Sequence, residues 1–395
     1  MRNIVIWGVG RIGELAYLYY RDQCNIACFV DSDSEKWNKS FHDIPICSPK
    51  ILKQCLCPVI VAVRVGADEI IENIKEKYCI KDIYLFTAAE VAVAKNEQEK
   101  EEIFDLKSNA VIVRFSGGLG NQMFQYAFLK AQGDLKKQVY ANISSYKALG
   151  KMPFQLTSVF KSIEMKFVNS YEEKCLINRV LDRIDNKRFL IYKEPLAATE
   201  IKEKSADIDL LKATGGIFEG YFQTCRFAEL VKGELLRDFQ FDISEKLDLR
   251  GLAEKVNKEN YISVHVRRGD YLLDHTRRYY GNICTKEYYN KAIEYMKKRF
   301  PKSKFCFFSD DIEWVKENYA VQEAFYIDTT LFSNYQDWFD MYLMSVCKHN
   351  IIANSTFSWW GAWLNQNPEK VVIAPNKWIN SCEYIDIYPQ DWVLM

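Results

Sequence analysis

Apolar positions near the start of the chain alternate into a strand at 3–7, a helix at 14–21 and a second strand at 25–30. Further strands are expected at 59–63 and 82–86, flanking a helix at 68–78. The rhythm then stops: in residues 95–108 eight of fourteen side chains are charged, which reads as a solvated linker and a domain boundary. A second series opens with a strand at 110–115 and a helix at 121–132, turns irregular between Tyr146 and Ala213, and resumes with a strand at 217–222 and a helix at 226–239. After Asn260, strands at 261–266, 305–308, 350–353 and 371–374 alternate with helices at 286–300, 311–319, 336–347 and 356–364. Strands alternating with helices predict an α/β protein of parallel sheets covered on both faces. The pattern divides into a small Rossmann-like unit at 1–94, the linker, and regions at 109–250 and 251–395.

Composition narrows the function classes. The 395 residues carry 53 Lys plus Arg against 53 Asp plus Glu, so no overall field exists for gripping a polyanion, and nucleic-acid binding is not expected. A hydrophobic content of 48% is enough to fill real cores and excludes a disordered chain. No apolar run approaches the roughly 20 residues that span a bilayer, and the N-terminus lacks the features of a secretion signal. A cytoplasmic protein is expected, at most peripheral to the inner face of a membrane. The 12 cysteines include no C-x-x-C pair and read as small buried hydrophobes of a reducing compartment. With only four histidines, no metal site is expected.

Five segments carry candidate chemistry. Gly8, Gly10 and Gly13 follow the first strand and open a helix, while Asp31 ends the second. This is the pattern of a dinucleotide site, with glycines for close approach to a pyrophosphate and an acid for a ribose hydroxyl. Such a loop can equally be one that merely packs. His265-Val266-Arg267-Arg268-Gly269-Asp270-Tyr271 places two arginines and an acid past the end of a strand, where ligands of open α/β sheets bind; a surface ion pair is the plain alternative. In Asn354-Ser355-Thr356-Phe357-Ser358-Trp359-Trp360-Gly361 a strand empties into hydroxyls and a helix start, which can be a cap or a diphosphate cradle. The paired tryptophans read as packing. Asp340 is a lone acid in an apolar helix start, either a dipole partner or an acceptor for the adjacent donors of guanine. Ser309-Asp310-Asp311 reads as a helix cap before a metal pair.

Together with Ser116-Gly117-Gly118-Leu119-Gly120-Asn121-Gln122, these motifs make the chain from about residue 110 onward resemble glycosyltransferase family 11, the α-1,2-fucosyltransferases. The matched segments are H-x-R-R-G-D-Y at 265–271, S-D-D at 309–311 and N-S-T-F-S-W-W-G at 354–361. The resemblance implies a GT-B architecture of two facing Rossmann-like domains, an acceptor-side one at 109–250 and a GDP-sugar-binding one at 251–395. It also implies GDP-L-fucose as donor, inversion at the anomeric carbon and no required metal or cofactor. By the same resemblance His265 and Asp340 hold the guanosine, and Gly117, Gly118 and Asn121 line the cleft opposite. Arg267, Arg268, Asn354, Ser355, Thr356 and Ser358 complete the donor-binding set.

The general base that an attacking hydroxyl needs is assigned first to Asp270, although a neighbouring guanidinium, that of Arg268, can claim the same carboxylate. Asp274 and His275 follow without a matching pattern. The first hundred residues resemble the small Rossmann-like domain at the front of some sugar-modifying bacterial enzymes, with NAD or a nucleotide-sugar as the ligand such a loop would take. The partners expected are thus a nucleotide-sugar donor and an oligosaccharide or lipid-linked glycan acceptor. Rival readings are a transferase for another GDP-sugar, or a nucleotide-sensing scaffold with an inactive transferase domain. The intact Arg267, Arg268, Asp270, Ser355 and Thr356 argue against the latter.

Overall fold

The computed structural model describes residues 2–21, 24–54, 57–63, 67–80, 82–86, 110–135, 137–149, 153–169, 173, 189–194, 203–205, 207–319, 321–384 and 386–395. The stretch read as a linker, 95–108, lies outside them, as does much of the irregular segment before Ala213. The chain divides into two compact units, the first carrying the N-terminal sheet and the second all later strands.

The first unit runs β1 (Arg2–Trp7), α1 (Arg11–Tyr20), β2 (Cys24–Val30), β3 (Ser40–Phe41), β4 (Ile44–Cys47), β5 (Val59–Val61), α2 (Ala67–Tyr78) and β6 (Ile83–Leu85). Its sheet has the order β3-β4-β2-β1-β5-β6, and only the β3–β4 hairpin is antiparallel. Ile4 and Ile6 of β1 join Phe29 and Ala16 on one face, while Val5 and Trp7 join Val59 and Ile74 on the other. Burial on both faces is why the central strands read as continuous apolar runs.

Among the described residues the second unit contains two large all-parallel sheets and a separate two-stranded one. Its first half runs β7 (Ala110–Arg114), α3 (Leu119–Asp134), β8 (Gln138–Asn142), α4 (Ser144–Leu149), α5 (Leu156–Val159), β9 (Phe167–Val168), β10 (Phe189–Lys193), β11 (Glu203–Lys204), β12 (Gly215–Glu219), α6 (Cys225–Leu230), α7 (Lys232–Asp238) and α8 (Leu247–Lys258). Five of these strands pair in the order β10-β12-β7-β8-β9. The helix expected at 226–239 is two helices, because the chain turns at Val231 to bury that side chain in the core.

The second half runs β13 (Tyr261–Val266), α9 (Asp274–Tyr280), α10 (Lys286–Arg299), β14 (Lys304–Ser309), α11 (Ile312–Asn318), β15 (Phe325–Tyr326), α12 (Trp338–Val346), β16 (His349–Ile351), α13 (Thr356–Trp363), β17 (Val372–Ala374), β18 (Glu383–Tyr384) and β19 (Val393–Leu394). Its sheet order is β15-β14-β13-β16-β17-β19, and β11 pairs with β18. Two parallel sheets wrapped by helices in one unit, which a small α/β unit precedes in the sequence, are the GT-B type arrangement expected from the sequence. Among the described residues no helix is long and apolar enough to cross a membrane.

The halves share one core. Trp359 and Trp360 of α13 are fully buried, and both rings pack on Phe124 of α3, with centroids 4.6 and 4.9 Å away. Their indole N–H groups donate across the unit, Trp359 to the carbonyl of Ile387 at 2.8 Å and Trp360 to that of Gly120 at 3.0 Å. The tail is woven in as well. Cys225 N–H donates to the carbonyl of Asp386, Gln223 accepts from the Trp378 indole, and β19 closes the sheet beside β17.

Replacing Trp360 with Phe removes the bond to Gly120 and leaves a gap beside Phe124. Urea unfolding should show a loss of about 1–3 kcal/mol at unchanged m-value.

Candidate active site

The site is built at the C-terminal edge of the second sheet. In the β13–β14 ladder Val266 pairs with Ser309, so the next residues, Arg267-Arg268 and Asp310-Asp311, leave the sheet side by side. Arg267 donates from Nε and Nη2 to Asp270 Oδ1 at 3.0 and 2.7 Å, and its Nη1 lies 3.0 Å from Asp310 Oδ2. Burial works against the charge of this guanidinium, but Asp310 and Asp270 outweigh it and raise the Arg267 pKa. Arg268 donates its backbone N–H to Asp310 Oδ1 and its Nε to Asp311 Oδ2, both at 2.9 Å. The guanidinium carbon lies 3.6 Å from the ring centroid of Trp314.

The carboxylate of Asp270 is therefore held by Arg267, not by Arg268. The Ser309-Asp310-Asp311 segment does more than the expected capping. Asp311 Oδ1 does cap α11, accepting from Trp314 N–H at 3.3 Å, yet its other oxygen holds Arg268. Among the described residues, no group of three or more His, Cys, Asp or Glu side chains is arranged to hold a metal ion.

In the β13–β16 ladder Val264 pairs with Ile351, which brings the arginine loop and the 354–358 segment out at the same edge. Tyr271 ties them, donating from its hydroxyl to the carbonyl of Asn354 at 2.8 Å. Asn354 is buried and faces the protein: Nδ2 donates to the carbonyls of Tyr280 and Trp378, and Oδ1 accepts from Cys284 Sγ. Ser358, also buried, donates to the carbonyls of Ala353 and Ser355. Ser355 is the N-cap residue of α13 but makes no side-chain cap bond, so the first N–H groups of that helix lack a side-chain partner.

The turn before α3 approaches from the other half. Gly117 has φ +79°, which a side chain would strain, and its carbonyl accepts from Tyr146 and Gln122. Gly118 is the N-cap of α3 and has no side chain to cap with. Asn121 Oδ1 accepts from Gln223 Nε2 at 2.9 Å. Gly120 is a point of close contact between the halves, since a Cβ there would lie 2.6 Å from Thr356 Oγ1 and 2.9 Å from Phe357 N. Two helix N-termini, each free of a side-chain cap, thus meet beside the arginine loop.

Among the described residues, the buried polar atoms without a hydrogen-bond partner include one on each of the two residues expected to hold the guanosine. His265 is 5% exposed and its Nδ1 has no hydrogen bond; Asp340 Oδ1 is shielded from solvent and equally unpartnered. Desolvation, reinforced by Arg267, lowers the His265 pKa to about 3, so the ring is neutral near neutrality. Desolvation raises the Asp340 carboxyl to about 7, partly offset by Tyr335. Orphaned buried groups of this kind are costly and uncommon.

The Glycosyl transferase family 11 model matches residues 80–395. The chain belongs to glycosyltransferase family 11. Residues 1–82 match a second family, the C2185-like N-terminal domain. Among curated proteins the chain is similar to an alpha-1,2-colitosyltransferase of Escherichia coli, 34% identical across 72% of this chain and 98% of that protein. It is also similar to the O-antigen biosynthesis glycosyltransferase WbnK of Escherichia coli, 33% identical across 70% and 98%. Human galactoside alpha-(1,2)-fucosyltransferase 1 is 33% identical over 26% of this chain and 28% of its own length. A solved structure of POFUT1 in complex with GDP covers 68% of this chain and 99% of its own at 12% identity, with a TM-score of 0.38.

The family 11 match leaves the glycine loop of the first unit outside it. Gly8 there has φ +113° and Gly13 packs directly on its carbonyl, while a side chain at Gly10 would meet nothing within 4 Å. Asp31 serves the glycine loop and the chain after β2. Its Oδ2 accepts from Val9 N–H and Lys36 Nζ, and its Oδ1 from Asp33 N–H.

The two orphaned groups give opposite pH dependences. Folded Asp340 binds its proton more tightly than an unfolded aspartate of pKa 3.8, so stability is lost as pH rises from about 4 through about 7. Folded His265 binds its proton less tightly than the ordinary 6.5, so stability is lost as pH falls from 6.5 toward 3. Urea titrations between pH 4 and 8 should show the first slope vanish in Asp340→Asn and the second in His265→Gln.

Proposed function

We propose that this family 11 enzyme transfers L-fucose from GDP-L-fucose, with inversion and without a metal ion, to the 2-hydroxyl of a terminal galactosyl residue. The observation that carries the reading is the meeting of two helix N-termini, free of side-chain caps among the described residues, at the sheet edge where Tyr271 ties the arginine loop to the segment that opens α13. As the bond from the anomeric carbon to the phosphate oxygen breaks, the electron pair leaves with GDP. Arg268 and the N–H groups at Ser355, Thr356 and Gly118 stabilise that charge. The acceptor oxygen attacks the opposite face and passes its proton to Asp270, whose Oδ2 is not the oxygen that Arg267 holds. His265 Nδ1 and Asp340 Oδ1 take the guanosine, Asp340 as the acceptor for the adjacent donors of guanine.

Similarity to the colitosyltransferase favours a second reading, transfer from another GDP-sugar by the same groups. The acceptor is an oligosaccharide or a lipid-linked glycan. We place the enzyme in the cytoplasm, with any membrane contact peripheral.

An acceptor screen with GDP-fucose, followed by linkage analysis of the product, tests the reaction; a product linked elsewhere than at the 2-position rejects it. Arg268→Ala should lower kcat for GDP release by about 10²–10³ while circular dichroism stays native, and wild-type turnover in that variant would refute its role. Activity should persist in EDTA, whereas loss restored by Mn²⁺ would reassign Asp310 and Asp311 to a metal.

A further inference from the structure

Gly220-Tyr221-Phe222, the turn that follows β12, is clasped from two sides. Glu194 accepts the backbone N–H groups of Tyr221 at 2.7 Å and Phe222 at 3.2 Å, and Gln125 of α3 donates to the Gly220 carbonyl at 2.7 Å. A side chain at Gly220 would collide with Glu194, and Phe222 is held at φ +51°, its ring buried and stacked on Phe128. Strain of this kind persists only where the surroundings over-determine it. The turn presents Tyr221, half-buried, with its ring edge against Gly117 of the turn that opens α3. Among the described residues the Tyr221 ring packs on no other aromatic ring, and its hydroxyl has no hydrogen-bond partner.

The second half brings Tyr280 to the same place. Gln223, two residues beyond Tyr221, accepts from the Trp378 indole at 3.0 Å, while Asn354 donates to the carbonyls of both Trp378 and Tyr280. Both tyrosines thus hang on one hydrogen-bonded node. Burial raises the Tyr280 phenol and Tyr221 and Asp270 add to the rise, so a tyrosine of one half and a carboxylate of the other lie within electrostatic reach of the same hydroxyl. The Tyr280 ring stacks on Tyr271, the residue after Asp270, at 5.1 Å and 21°.

We infer that Tyr221 and Tyr280 form the acceptor subsite of the transferase reaction, a pair of rings that takes the C–H face of a terminal galactopyranoside beside Asp270. The inference rests on the acceptor reading given above. A pyranoside has an apolar C–H face and an edge of hydroxyls, and a tyrosine offers the complement: a flat apolar ring with one group that both donates and accepts. An uncharged acceptor needs no ion pair, which suits two phenols. Tyr280 stands on the side of the base, through its stacking on Tyr271, and Tyr221 closes the subsite from the half that carries the α3 turn.

With the full-length enzyme and lactose as acceptor, Tyr221→Ala should raise the acceptor KM about 10-fold or more. Its Tm, its KM for GDP-fucose and its GDP affinity by calorimetry should stay at wild-type values. Tyr221→Phe keeps the ring and should remain within about threefold of wild type. Tyr280→Leu, which keeps bulk against Tyr271 but removes the aromatic face, should raise the acceptor KM as Tyr221→Ala does. Saturation-transfer NMR of methyl β-galactoside in the presence of GDP gives a readout without turnover: the C–H face should show the strongest signal in the wild type and lose it in Tyr221→Ala. A wild-type acceptor KM in Tyr221→Ala overturns the subsite, as does a fall in Tm with KM unchanged, the result expected of a ring that only spaces the two halves. Absence of fucosyl transfer to lactose by the wild-type enzyme overturns instead the reaction on which the subsite rests, so the two failures are distinguishable.

Discussion

The halves of the transferase unit approach closely at Gly120, where no side chain fits against Thr356 and where the Trp360 indole bonds the same residue's carbonyl. That contact fixes the distance between the start of α3 and the start of α13. Everything else at the site is referred to it, because a helix N-terminus stabilises an anion only over its first turn. The aromatic packing of Phe124 on Trp359 and Trp360 stiffens the joint from below. Core and site are therefore continuous here, and Trp359 and Trp360 serve the chemistry by being buried.

The second half supplies the groups that the joint needs. Three strand ends, those of β13, β14 and β16, lie next to one another, and each hands on a short polar segment. The parallel sheet makes this possible, because all its strands end at the same edge. The polar segments then bind one another: Arg267 to Asp270 and Asp310, Arg268 to Asp311, Tyr271 to the carbonyl of Asn354. An exposed arginine loop would otherwise lose much of its attraction to side-chain freedom and solvent.

The buried strands β1, β2, β5, β7, β12, β13, β14, β16 and β17 were legible in the sequence because burial on two faces leaves uninterrupted apolar runs, whereas β8 and short strands such as β9, β15 and β19 were not. The hairpin of β3 and β4 was not, since 40–47 has too few apolar positions to show a period, and the turn at Val231 was hidden inside a continuous helical pattern. At the site, Asp340 stood out as an acid among apolar neighbours. The pairing of Asp310 and Asp311 with the arginines did not, because it depends on the register of β13 against β14 and on nothing local. Nor can a sequence tell which way a polar side chain turns. Asn354 and Ser358 lie in the same motif as Ser355 and Thr356, yet their polar atoms bond to the protein's own groups.

The tail after β17 has a practical side. Residues 378–395 hold the Trp359 indole through Ile387, Asn354 through Trp378, and the start of α6 through Asp386. Proteolytic trimming at this end would strip supports from the helix start and the neighbouring half together. Affinity handles and fusion partners are better carried at the other terminus, and random mutagenesis aimed at altered sugar choice should leave this stretch untouched.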